Sequence, residues 1–187
     1  MPPKVKITKT DIIQTALSLV RENGVSVVNA RSIASALGCS TQPIFSNFAT
    51  MEELQVAVIE AAFEVYLGYI KNEVESGKYP EYKSFGMAYI RFAREEKELF
   101  KTLFMCEREG GEQIPTEDFK ASVEIIMNTN GISRERAELM HLEMWLCVHG
   151  IGTMLATSFV DLDTELISNM ITDVYQGILV RHLSEEK

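Results

Sequence analysis

Hydrophobic positions recur with a helical period almost from the start of the chain. Thr8-Lys9-Thr10-Asp11 has the spacing of a capping box, in which a Thr hydroxyl and an Asp carboxylate each take a backbone N–H of the first turn. Ile13, Ala16, Leu17 and Val20 follow at i, i+3, i+4 and i+7 until Asn23-Gly24 ends the run. Asn29 is placed to cap a second, short helix with Ala30, Ile33, Ala34 and Leu37 on one face, and Gly38 stands where a positive φ would end it. Ser40 is placed to cap a third, with Pro43 tolerated in its first turn and Ile44 and Phe48 pointing inward. Thr50 opens a fourth, long helix: no Pro interrupts residues 51–76. Leu54, Val58, Ala61, Val65 and Tyr69 make one stripe of it, and Val56, Ile59, Phe63, Leu67 and Ile70 another.

Beyond the break at residues 76–80, helical patterns are predicted over 81–94, 95–107, 117–130, 133–156 and 163–183. The segment 108–116, with Gly110-Gly111 and Pro115, reads as a loop. No stretch has a period-two strand pattern bounded by hairpin turns, and there is no internal repeat. The pattern therefore predicts an all-α fold of about nine helices. A three-helix head over residues 1–50 precedes a helical body over residues 51–187.

Composition narrows the class. A hydrophobic share of 46% with 24% charged residues is that of an ordinary globular protein, and no apolar run approaches the roughly 18 to 20 residues of a bilayer span. Residues 12–20 are broken by Gln14 and Ser18 and followed by Arg21-Glu22 rather than a small-residue cleavage site, so they do not read as a signal peptide. A cytoplasmic protein without a membrane partner is expected. Cys39, Cys106 and Cys147 are odd in number and lack metal-ligand spacing, which gives no support to a disulfide framework or a metal.

The net charge of −9 argues against a polyanionic partner until its distribution is considered. Residues 1–50 hold Lys4, Lys6, Lys9, Arg21 and Arg31 against Asp11 and Glu22, a net +3 that leaves −12 on the rest. A basic head on an acidic body would meet a polyanion head first. The second and third helices, joined by a Gly-containing turn, have the proportions of a helix-turn-helix, in which the first helix braces the second against the major groove. The leading residues of the second, Ser40, Thr41, Gln42 and Pro43, are suited to base or phosphate contact. Pattern alone also fits a plain three-helix core that binds nothing.

Resemblance favours DNA. Asp11 to Leu17, Gly24, Ile33-Ala34, Gly38-Cys39-Ser40, Ile44 to Phe48 and Glu52-Glu53-Leu54 together resemble the DNA-binding signature of TetR-type transcriptional regulators, over about 45 residues and in the right order. The run Trp145 to Ile151 is similar to a Trp and His-Gly motif in one subgroup of that family. The resemblance implies a homodimer whose first three helices bind a palindromic double-stranded operator and whose last two pair with the partner. It further implies a repressor released by a small effector, with helix four linking head and body. The candidate DNA-contacting residues are Lys6, Lys9, Asn29, Arg31, Ser40, Thr41, Gln42, Pro43, Phe45, Ser46 and Asn47. A hydrophobic effector would be lined by Phe63, Phe100, Phe104, Met105, Met144, Trp145 and His149. For the dimer, Met140, Met144, Val148, Ile151 and Leu155 form one expected apolar stripe and Leu166, Ile167, Met170, Ile171, Val174, Ile178 and Leu179 another, with Gly150 and Gly152 permitting close approach.

Three departures from the family pattern bear on DNA. Phe45 stands where most members carry a phosphate-binding Tyr and has no donor; Asn47 stands in place of a His, and Met51 in place of a Lys. They leave open an alternative, a helical dimeric interaction module with weakened or lost DNA binding. An enzyme is not expected, nor a cofactor, because the chain offers no Gly-rich phosphate loop, metal cluster or nucleophilic triad. Cys147 and His149, at i and i+2, project to different sides of a helix.

Overall fold

The computed structural model describes residues 7–106 and 117–184. Among them are nine α-helices: α1 (Lys9–Asn23), α2 (Ala30–Ala36), α3 (Gln42–Asn47), α4 (Met51–Glu75), α5 (Glu81–Glu95), α6 (Lys97–Phe104), α7 (Glu117–Asn130), α8 (Arg134–Ala156) and α9 (Thr164–Ser184). A 3₁₀ turn covers Val25–Val27, and no described residue is in a strand. The fold is all-α, as the periodicity predicts. The expected loop at 108–116 lies outside the described residues, as does Lys6.

Local chemistry accounts for the helix boundaries at the front. The Thr8 hydroxyl accepts the Asp11 N–H at 3.1 Å while the Asp11 carboxylate accepts the Thr8 N–H at 2.8 Å, so two orphan donors are satisfied reciprocally. Asn29 and Ser32 do the same for α2, through N–H bonds of 3.0 Å in each direction. Gly38 follows α2 with φ +64. One expectation fails here: Ser40 does not cap α3. The preceding residue of α3 is Thr41, already helical at φ −71 and ψ −12, with no side-chain cap bond. Its carbonyl takes the N–H groups of Ile44 and Phe45, which brings the turn one residue later than expected.

The chain divides into two compact units. The first comprises residues 1–67 and 96–106, and in it α1 packs against α2, α3 and α6. Ile12, Leu17, Ile33, Ile44, Phe48, Leu54 and Phe100 are almost wholly removed from water there. Each such side chain contributes roughly 1.5 to 3 kcal/mol. The buried stripe of α4 is Leu54, Val58, Ala62 and Tyr66, not the expected line through Ala61 and Val65, because burial follows steps of four residues; Val56 and Ile59 are exposed. Arg21 ties the end of α1 to Glu96 through bonds of 2.9 and 3.0 Å.

The second unit comprises residues 68–95 and 107–187. Its centre is α8, which packs against α5, α7 and α9. Met140, Met144, Val148, Ile151 and Leu155 are all buried inside this unit, so the stripe expected to face a partner is core. On α9, Ile167 and Ile171 are likewise buried, whereas Leu166 and Met170 are exposed. Helix α8 also qualifies the expectation about membranes. It is long and apolar enough to cross one by length and composition, with mean hydropathy 1.2, since Glu143 is the only charged residue between Leu139 and Ala156. A core helix passes the same test, and five of its apolar side chains are buried in this unit, while Leu139, Leu142 and Leu146 are exposed.

Candidate functional site

The helix-turn-helix segment lies within the first unit. Ile33 and Ala34 of α2 and Ile44 of α3 are buried, which fixes these two short helices to α1 and leaves their polar sides outward. Ser40 and Gln42 are exposed and Thr41 is half-buried. None of their three side chains makes a hydrogen bond to another described residue, in contrast to most Ser and Thr residues around them. Pro43 is half-buried in the first turn of α3. Phe45 is 51% exposed, a large aromatic face held out on the same helix.

Other expected contact residues have internal partners. The Asn47 amide donates to the Pro43 carbonyl at 2.8 Å and to the Ile7 carbonyl at 3.5 Å, so its donors are occupied. Ser46 donates to the Gln42 carbonyl, and Asn29 accepts the N–H groups of Arg31 and Ser32 as the cap of α2. Lys9 pairs with Glu53 at 3.3 Å and lies over the Phe48 ring at 4.6 Å. Hydrogen bonds from the Ala49 N–H and from Lys9 hold the Glu53 carboxyl below its usual range. Arg31 is exposed on α2 and pairs with no acid among the described residues.

The expected effector residues fall into two groups. In the first unit, Phe63, Tyr66, Phe104 and Phe100 form a chain of ring contacts, with centroids 5.7, 5.2 and 5.4 Å apart. Phe100 is fully buried, whereas Met105 is 41% exposed. In the second unit Trp145 stacks on His149 at 5.1 Å and 15°, as their i,i+4 spacing on α8 allows, and Met144 is buried beside them in sequence. The His149 Nδ1 is 2.8 Å from the Tyr89 hydroxyl, and burial pushes its imidazole below the usual range. Tyr66 and Tyr89 complete these groups. Sequence reasoning missed both, because only the folded chain sets them against Phe104 and His149.

Cys39, Cys106 and Cys147 are free thiols. No group of three His, Cys, Asp or Glu residues among the described residues is arranged to hold a metal ion. No protein-family model matches the chain, and no curated protein matches it.

Proposed function

We propose that the chain is a DNA-binding transcriptional regulator of the TetR type: a repressor that engages a palindromic operator as a homodimer and releases it when a small hydrophobic effector binds. The observation that carries this reading is the exposed start of α3, where the side chains of Ser40, Thr41 and Gln42 have no internal hydrogen-bond partner. Polar side chains without internal partners at and just before the start of a braced, six-residue helix are suited to base edges in a major groove. Arg31 adds a charge for the phosphate backbone.

On α8 the dimer reading rests on a different face from the one the sequence pattern suggests, whereas on α9 it keeps Leu166 and Met170 of the expected stripe. Leu139, Leu142 and Leu146 follow one another at i, i+3 and i+7 on α8 and are 48, 41 and 57% exposed. On α9, Leu166, Met170 and Val180 are 48, 40 and 65% exposed. Gly150 and Gly177 continue these lines with open space above their Cα atoms. Exposed apolar rows on two helices favour an isologous four-helix contact. For the effector, the Trp145–His149 pair supplies apolar surface with a polar handle inside the second unit, and the Phe63 to Phe100 ring chain is a separate aromatic group inside the first.

A second reading, an interaction module that no longer binds DNA, is favoured by Phe45, which presents an apolar ring where a phosphate donor would serve. A gel shift with the region upstream of the chain's own gene, repeated over a salt series, separates the two. A regulator gives a discrete complex whose affinity falls linearly with log salt. Absence of binding at low salt sinks the regulator.

A further inference from the structure

The outward side of α3 carries an apolar group that hydrogen bonding to base edges leaves unused. Phe45 is 51% exposed, whereas Ile44 before it and Phe48 after it are almost wholly buried. Among the described residues of α2 and α3 it is the one large apolar side chain exposed. Its neighbours on the helix surface are polar. Thr41 precedes it by four residues and Gln42 by three, the spacings that set side chains beside one another on one face. Ser46 and Asn47 instead turn their donors back to the carbonyls of Gln42 and Pro43. The face that α3 offers outward is thus a single aromatic ring bordered by Gln42 and Thr41.

A ring in that setting has few uses. It has no donor for a phosphate. Standing alone, it is not the broad contiguous apolar patch that marks a protein-binding surface. On the base edges of a major groove, however, one group is apolar: the methyl on C5 of thymine, which Phe side chains contact. Gln pairs with the N6 and N7 edge of adenine. Side chains at i and i+3 stand about 5 to 6 Å apart at Cβ against a rise of about 3.4 Å per base pair, so Gln42 and Phe45 reach base pairs one or two steps apart.

We infer that Phe45 reads the methyl group of a thymine in the operator half-site, one or two base pairs from an adenine taken by Gln42. This rests on the DNA-binding function proposed above and names the kind of half-site it requires. Phe45 is then a specificity residue that adds nothing to phosphate attraction.

The full chain first selects its operator from a pool of randomised duplexes. Each thymine of the selected half-site is then replaced by uracil, which keeps the base pair and removes only the methyl. Binding of the wild type and of Phe45→Ala is measured at low salt, where phosphate attraction keeps weakened complexes in range. Position 45 is exposed, and retained helicity checks the fold of the variant. At one thymine, uracil weakens wild-type binding about fourfold in one half-site and about tenfold or more in both, the worth of one buried methyl each. Phe45→Ala binds the thymine and uracil duplexes equally. Selection of no duplex overturns the DNA reading and this inference with it. A selected half-site without thymine, one in which every thymine tolerates uracil, or a uracil loss undiminished in Phe45→Ala overturns this inference alone and leaves the DNA reading standing.

Discussion

Tyr82 of α5 and His141 of α8 share a hydrogen bond of 2.9 Å inside the second unit. Burial holds the Tyr82 phenol well above its usual range and pushes the His141 imidazole down to about 4, so the phenol donates and the neutral Nδ1 accepts. The Phe119 ring lies against the same imidazole at 4.7 Å and offers no charge to a protonated ring.

Stability should therefore depend on pH through this pair. In the unfolded chain the imidazole takes up its proton near 6.5, whereas the folded chain resists until about 4. The contribution is complete above pH 6.5, is lost as pH falls from 6.5 towards 4, and is level below that. His149, lowered in the same direction by burial, steepens the fall. The loss at His141 is on the order of 3 kcal/mol. Thermal unfolding of the wild type and His141→Gln at pH 7.5, 6, 5 and 4 checks this. A difference between them that does not change with pH removes the assignment.

Gly24 and Gly38 both have positive φ, +79 and +64, but different surroundings. A Cβ at Gly24 would lie 3.1 Å from the Glu98 carboxylate, which is itself held by Lys101, whereas a Cβ at Gly38 meets nothing within 4 Å. With ψ 170, Gly24 also sits in a region that is essentially reserved for glycine. Denaturant titration should show Gly24→Ala costing roughly 2 to 3 kcal/mol and Gly38→Ala roughly 1 kcal/mol. Equal costs would show that the Glu98 contact carries no weight.

Much of this was legible in the sequence where a cap or a stop residue governs the outcome locally. Thr8, Asn29 and Gly38 act as their neighbours in the chain dictate. Ser40 misled because two adjacent hydroxyls compete for one cap position and the turn closes on Thr41 without using either. The α8 stripe through Met140 and Leu155 was rightly read as apolar but assigned to the wrong face. Core and partner faces share one 3.6-residue period, and only packing against α5, α7 and α9 distinguishes them. The hydrogen bond from Arg94 to Thr164 was not legible at all, since the two are 70 positions apart.

That misassigned stripe leads to a paired prediction. Leu146→Glu with Val180→Glu places charge on the exposed rows of α8 and α9. In sedimentation it should convert a dimer to a monomer without loss of helicity. Met140→Ala opens a void in the core instead and should cost about 2 to 5 kcal/mol of stability. If the double variant sediments as the wild type does, the exposed rows are not the interface.

On the proposed function, variants at α2 and the start of α3 should separate base readout from phosphate attraction. Gln42 has a free amide at the start of α3, so Gln42→Ala should relax preference at one or two operator positions and cost about 1 to 3 kcal/mol on the preferred sequence alone. Arg31→Ala should weaken binding about equally on all sequences and flatten the salt slope by about one unit. Lys9 is already paired with Glu53, and using it on a phosphate means giving up that ion pair. Lys9→Ala should therefore weaken binding less than Arg31→Ala does, with a smaller change in slope. Competition binding against a randomised operator at two salt concentrations measures all three. A Gln42→Ala loss that is equal on every sequence would move Gln42 to the phosphate backbone and leave the specificity to Thr41 and Phe45.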